Sequence, residues 1–338
     1  MLKSINCPLM VRPMRLLPFL GSALAVAAAG AGAAAAEAEP FHFGPHDSVL
    51  VVAPHPDDES LCCAGVLQRA RAAGARVAIV WITGGDAFEL DARLTERTLR
   101  PGRAGLLQLG MRRAAEASEA ASKLGVPESG RYLLGYPDRG IQHLALDNYF
   151  IRYHSPFTGA DRVFLQGALR PDAPYEGQSL MQDLRTVVER QQPSYVFVAS
   201  PLDAHPDHRF SGELVIRLMG ERRQLDRVWY WIVHGGLDWP RPGGFHPGLR
   251  LNPPRTARKL DWVPFDLTTE EQDTKLAALS AHRSQMDIMG GLMRAFVRQN
   301  ELFTQAVSQP SSPAPAPAPF AAPESSIIDG RTGEESPP

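Results

Sequence analysis

The stretch Ser48-Val-Leu-Val-Val-Ala-Pro-His-Pro-Asp-Asp-Glu-Ser-Leu-Cys-Cys-Ala-Gly65 decides how the rest of the chain is read. Val49 to Ala53 is a short apolar run rich in β-branched residues, the pattern of a strand buried on both faces of a parallel sheet. His55, Asp57, Asp58 and Glu59 follow at once. In an open α/β sheet, ligands bind at the carboxyl ends of the strands, where the loops splay apart. Pro54 and Pro56 keep the backbone around His55 extended, so the imidazole is presented on a stiff loop. A helix is predicted over Leu61 to Ala72, and acidic residues ahead of it suit the positive end of its dipole; a capping role alone accounts for one Asp. A His and two adjacent Asp go beyond a cap. His55 and Asp58, three apart, can share one metal ion while Asp57 faces the water beside it.

Outward from this stretch the pattern repeats. Arg76 to Ile82 is a second apolar strand, about 25 residues on, as a right-handed βαβ unit requires. It ends in Thr83-Gly84-Gly85-Asp86, a tight turn at the same sheet edge. Residues 87 to 110 lack a clear period and are expected as a loop or short helix over the site. Met111 to Lys123 reads as a helix in which Arg113 and Glu116, one turn apart, can pair at the surface. Tyr132 to Asp138 reads as a strand with a polar end. Residues 139 to 178, rich in Gly, Pro, Tyr and Arg, form a long loop of the kind that is usually functional or disordered. A helix over Leu180 to Gln191 leads to the buried-type strand Tyr195 to Ala199. That strand runs into Ser200-Pro-Leu-Asp-Ala-His-Pro-Asp-His-Arg209 and a helix from Phe210 to Met219. Val228 to His234 is a further strand, and Lys275 to Gln285 a helix carrying His282 and Gln285.

These alternations predict a single α/β domain, Rossmann-like, with a mostly parallel sheet flanked by helices and the site at the carboxyl ends of the strands. The chain has 338 residues, 44% of them hydrophobic, enough for a substantial core. A formal net charge of -2 gives no basic footprint for nucleic acid or an anionic membrane. Lys3, Arg12 and Arg15 precede an uncharged stretch from Leu16 to Ala36, and Ala36-Glu37-Ala38 has the small-x-small pattern of a signal-peptidase site. Residues 1–38 are therefore expected as a cleaved signal peptide; an uncleaved anchor is the rival, disfavoured by the weak hydrophobicity of Ala and Gly. Export to the periplasm or the exterior follows, without stable membrane insertion after cleavage. Residues 39–307 make the enzymatic domain, and residues 308–338 a disordered Pro/Ala/Ser-rich tail. Cys62 and Cys63, neighbours on one helix, are expected as small buried residues and not as a disulfide. Oligomeric state is left open.

The chemistry rests on two strand ends that both offer His and Asp behind proline. If the strands are neighbours, His55, Asp58 and one His of the second cluster supply three protein ligands and leave a position for water. Two His and one carboxylate suit a hydrolytic zinc ion, or ferrous iron, with Asp57 placed to take the proton of the activated water.

His55-Pro-Asp-Asp-Glu59 and His205-Pro-Asp-His208 resemble the two signature motifs of the PIG-L / LmbE-like family of zinc-dependent N-deacetylases. Arg113-x-x-Glu116 with Leu124-Gly125, then Asp138, then Lys275 with His282-x-Ser-Gln285, are similar to the lesser motifs of that family, in order, over about residues 46 to 290. The resemblance implies His55, Asp58 and His208 as metal ligands. It implies Asp57 as general base and His205 as the group that stabilises the oxyanion or protonates the departing amine. Arg113 and Asp138 are implied to hold sugar hydroxyls, with His282 and Gln285 supporting them near the pocket rim. The implied reaction removes an N-acetyl group from an N-acetylglucosamine-type amino-sugar or glycan. A zinc amidase for another N-acylated amine and a non-catalytic carbohydrate-binding protein are the alternatives. Asp203, two before His205, stands where some members carry a tyrosine. Tyr149, Phe150, Tyr153 and Tyr175 lie in the 139–178 segment, which resembles the longer loops of exported relatives and reads equally as a lid or sugar platform or as plain loop packing.

Overall fold

The computed structural model describes residues 40–88, 102–236 and 239–306, all within the compact unit Glu39–Pro338. The expected signal peptide and the Pro/Ala-rich tail lie outside the described residues. Seven strands form one sheet in the order β3-β2-β1-β4-β5-β7-β6. β1 (Ser48–Ala53), β2 (Arg76–Thr83), β3 (Arg131–Tyr136), β4 (Tyr195–Ala199) and β5 (Val228–Trp231) are parallel. β7 (Asn300–Gln305) runs antiparallel to β5, and β6 (Val263–Asp266) antiparallel to β7. The five parallel strands carry the expected α/β architecture; the antiparallel pair that extends the sheet was not foreseen.

Every residue of β1 is buried, because helices cover both faces of the sheet. Side chains alternate across a strand. Val49, Val51 and Ala53 accordingly pack into one hydrophobic core, while Leu50 and Val52 pack into the other. The first core takes α1 (Asp58–Cys62), α2 (Ala64–Ala72), α3 (Gly102–Lys123), α7 (Thr269–Ala281) and α8 (Arg283–Arg294). The second takes α4 (Ile141–Ala145), α5 (Gly177–Gln191) and α6 (Pro206–Glu221).

Three expectations are corrected here. The helix after β1 is two helices, broken at Cys63, and Cys62 and Cys63 are joined by a disulfide. The break is held from below: Lys275 Nζ donates to Leu61 O and to Glu301 Oε1, both at 2.8 Å. Glu301 in turn accepts from the first-turn N–H groups of α2, Gly65 N at 3.1 Å and Val66 N at 3.3 Å, a favourable place for a carboxylate. The helix expected over Lys275 to Gln285 is likewise split, at His282. In residues 139–176 the loop-packing reading holds in part: Leu169 N donates to Leu133 O at 2.7 Å and Tyr175 is buried in the second core beside Tyr136, while Phe150 and Ile151 stay exposed.

Strand order reverses between β1 and β4, the two central neighbours. In this topology the loops after those strands diverge above and below the sheet and leave a crevice between them. The His55 loop and the His205 loop are those two loops.

Candidate active site

The loop after β1 is short and fully bonded. Thr83, at the end of β2, donates to Pro54 O from both its main-chain N at 3.0 Å and its Oγ1 at 2.9 Å. His55 N donates to Asp58 Oδ2 at 2.9 Å, and Asp57 N to Glu59 Oε2 at 3.1 Å. Asp57 itself has φ 125° and ψ -27°. From the other strand, His205 precedes α6 and caps it, its Nδ1 accepting from Asp207 N at 3.2 Å. The His205 proton therefore lies on Nε2.

The two loops bring three donor atoms together. His55 Nδ1 lies 3.2 Å from His208 Nε2 and 3.4 Å from Asp58 Oδ2, and His208 Nε2 lies 3.3 Å from that same oxygen. These are the edges of one tetrahedral face whose corners stand about 2.0 Å from the centre, the zinc–nitrogen and zinc–oxygen distance. The remaining ring nitrogens also meet carboxylates: His55 Nε2 is 3.2 Å from Asp138 Oδ1 and 3.3 Å from Asp207 Oδ2, and His208 Nδ1 is 3.2 Å from Asp203 Oδ2. His55, Asp138 and Asp207 form one further donor group, and Asp203, His208 and His234 another.

Asp57 sits beside the triangle, held from behind. Arg113 Nη1 donates to Gly85 O at 2.9 Å and its Nη2 to Pro56 O at 3.0 Å, and Nη2 is 3.6 Å from Asp57 Oδ2. Gly85 has φ 67°, and a β-carbon there would collide with the guanidinium. The Gln285 amide abuts the guanidinium, and with its oxygen on that side it accepts from Arg113 Nη2 at 2.6 Å. Glu59 accepts from Ser60 Oγ at 2.7 Å, Trp81 Nε1 at 2.8 Å and His282 Nε2 at 3.0 Å. Arg113 and Glu116 do not pair as expected at a surface. Both are buried, and Glu116 instead accepts from Ser284 Oγ at 2.7 Å. His282 and Gln285 are not at a rim either; both are fully buried, packed against the loop that follows β1.

Burial and crowded carboxylates set the electrostatics. Burial pushes the Asp57 carboxyl up to about 7 against the pull of Arg113, with Asp58 adding to the rise. Burial opposes charge on His55, yet Asp138, Asp207 and Asp58 outweigh it and raise its pKa. Burial likewise opposes charge on His208, and Asp58 with Asp203 overrides it, to about 10. His205 goes the other way, to about 2, through burial and the neighbouring His55, His208 and His234. The field around the two central imidazoles thus calls for positive charge, which a divalent cation supplies once the rings are neutral. The donor set and its spacing fit such an ion.

A cavity of about 210 Å³ opens on this cluster. Its polar side includes His55, Asp57, Asp58, Asp138, Arg139 and His205. Leu61, Met289, Met293 and Phe296 add an apolar wall to its lining. Of the 139–178 segment only Arg139 is among the lining residues; Tyr149, Phe150, Tyr153 and Tyr175 are not. His234 also lines the cavity, its ring centroid 5.1 Å from that of His205. Sequence reading passed over it, although its place at the end of β5, next to β4, was the available signal.

Comparison with known proteins finds relatives along most of the chain. The chain is 26% identical over 321 residues to the 1D-myo-inositol 2-acetamido-2-deoxy-alpha-D-glucopyranoside deacetylase of Segniliparus rotundus, covering 86% of this chain and 92% of the relative. It is 29% identical over 266 residues to the protein of the same name from Acidothermus cellulolyticus, covering 72% and 81%. Among solved structures, the N,N'-diacetylchitobiose deacetylase of Pyrococcus horikoshii matches with a TM-score of 0.45 at 21% identity, over 75% of this chain and 82% of that one. Residues 50–219, the segment that holds both histidine loops, match the model of the PIG-L family, GlcNAc-PI de-N-acetylase, and the chain belongs to that family.

Proposed function

We propose that the protein is a metal-dependent hydrolase that removes the N-acetyl group from an N-acetylglucosamine-type amino-sugar or glycoconjugate. The observation that carries this reading is the triangle of His55 Nδ1, Asp58 Oδ2 and His208 Nε2, with Asp57 beside it. Those three atoms would hold one zinc ion; ferrous iron suits the same donors. The bound ion supplies Lewis-acid polarisation of the amide carbonyl and lowers the pKa of water toward about 7.

Asp57 takes the proton of the attacking water, as a carboxylate lining the cavity beside the donor triangle can. Arg113 steers Asp57 by fixing the Pro56 carbonyl and facing the carboxylate. As the water oxygen bonds to the carbonyl carbon, negative charge grows on the carbonyl oxygen. His205 Nε2–H donates to that oxygen, its other nitrogen being engaged at the helix cap. The proton held by Asp57 passes to the amide nitrogen, the C–N bond breaks, and the second water proton moves from the new carboxyl to the amine, so that acetate and a protonated amine leave. Asp138, Arg139 and His234 would meet sugar hydroxyls from the polar side.

The apolar wall of Leu61, Met289, Met293 and Phe296 favours a second reading, in which the acyl group or the aglycone is larger and apolar. A zinc amidase for another N-acylated amine would use the same machinery. The proposal includes export, with residues 1–38 as a cleaved signal; the N-terminal sequence of the mature protein tests that part. The central test is metal content together with acetate release from N-acetylglucosamine oligomers, for wild type and Asp57→Asn. The expected result is about one zinc per chain in both and a loss of about 10²–10⁴ in rate for the variant. A variant of unchanged rate removes Asp57 as base, and a wild type without metal removes the hydrolase reading.

A further inference from the structure

His208 has both ring nitrogens committed. Nε2 is a corner of the donor triangle, and Nδ1 faces Asp203 Oδ2 at 3.2 Å, too angled for a full hydrogen bond. The ring is fully buried, so the protein decides which nitrogen carries the proton. Asp203 is buried as well and tied to three main-chain groups. Its Oδ2 accepts from Val233 N at 2.9 Å and His234 N at 3.0 Å, and its Oδ1 from His205 N at 2.9 Å. The two N–H groups fix Oδ2 in place, so its negative charge faces His208 Nδ1.

We propose that Asp203 is the positioning residue of His208: its carboxylate keeps the proton on Nδ1, leaves Nε2 bare toward His55 and Asp58, and ties the β4 loop to the end of β5. The proposal rests on the reading that the triangle holds a metal ion. A ligating histidine needs its second nitrogen anchored, because the anchor fixes both the tautomer and the ring orientation. Asp203, His208 and His234 lie close enough to suggest a second cation site instead. That alternative fails on Asp203 Oδ2, since a cation there would oppose the two N–H dipoles already pointing at it. Asp203 is therefore an acceptor of N–H groups, not a ligand. His55 is served in the same way by Asp138 and Asp207, so both imidazoles of the triangle are braced by carboxylates.

The test strips metal from the full chain and measures zinc affinity by competition with a chromophoric chelator for wild type, Asp203→Asn and Asp203→Ala. Thermal midpoints of the metal-free forms and the visible spectrum of the cobalt-loaded forms accompany it. Asp203→Asn keeps an oxygen for the Val233 and His234 N–H groups but sets an NH2 against His205 N–H, so its metal-free midpoint falls, by less than that of Asp203→Ala. Its zinc affinity is expected to fall about 10-fold, and that of Asp203→Ala toward about 100-fold, with an altered cobalt spectrum in both. If the alanine variant does not fold, the asparagine variant decides. Affinities within about two-fold of a zinc-binding wild type, with an unchanged cobalt spectrum, overturn the role of Asp203 and leave the hydrolase reading standing. A wild type that binds no zinc removes the ground of both.

Discussion

Substitution of Lys275 by Met tests how the break between α1 and α2 is held. The Lys275 ammonium and the Glu301 carboxylate meet at 2.8 Å with each side chain only 1% exposed. Removing the ammonium leaves Glu301 facing two helix N–H groups without a counter-charge, and leaves Leu61 O without its donor. Breaking one side of a buried pair costs about 3–5 kcal/mol. In a domain of this size each kcal/mol moves the thermal midpoint by about 2–4 °C, so the expected loss is about 6–20 °C. Urea unfolding of the metal-free protein gives the free energy, and thermal melts give the midpoint. Lys275→Met/Glu301→Gln removes both charges and should recover most of the loss, since a neutral replacement of the whole pair is commonly tolerated. A single-variant cost below about 1 kcal/mol, the range of an exposed pair, would refute the argument. So would a double variant no better than the single one.

Two further expectations concern groups that the reaction does not touch. Burial, with Asp138 next, raises Asp86 from 3.8 to about 7, and Arg113, Tyr153 and Tyr175 also face it. The folded chain therefore keeps a proton that the unfolded chain releases; the contribution is full below about pH 4 and is lost as pH rises through about 7. Asp86→Asn should gain on wild type across that window, by up to about 4 kcal/mol at pH 8, and urea midpoints that run parallel from pH 5 to 8 would contradict it. His282→Ala withdraws one of the donors to Glu59 and should cost about 3 kcal/mol and lower turnover while zinc content stays at wild-type level. Loss of zinc instead would show that His282 does more than brace the base loop.

The parts of the fold that sequence made legible are those where burial is two-sided. β1, β2 and β4 are unbroken apolar runs because helices cover both faces, and the chemistry-bearing residues follow them directly. β7 was hidden because its second residue is Glu301, a charge made tolerable inside the protein by the distant Lys275 and the first N–H groups of α2. Arg113 and Glu116 read as a surface pair because their spacing is local, whereas their partners are Gly85, Pro56 and Ser284 on other elements. The Cys62–Cys63 disulfide and the split at His282 likewise depend on how helices end against their neighbours, which periodicity does not report. Within the site, the histidine motifs announced themselves. Asp203 and His234 became meaningful only once β4 and β5 were seen side by side.

Asp57 lies in a backbone region that glycine enters freely and a residue with a β-carbon enters at a cost of about 1–3 kcal/mol. Glycine at that position would return that energy, less the roughly 0.4–1 kcal/mol of extra freedom it gives the unfolded chain. The same change deletes the carboxylate assigned to the water. Backbone strain and turnover therefore pull this one codon in opposite directions. A library screened for thermal survival alone weighs the relieved backbone of Asp57→Gly against the buried Arg113 guanidinium it leaves without a facing carboxylate, and is blind to the lost turnover, so any stabilisation campaign must score activity at every round.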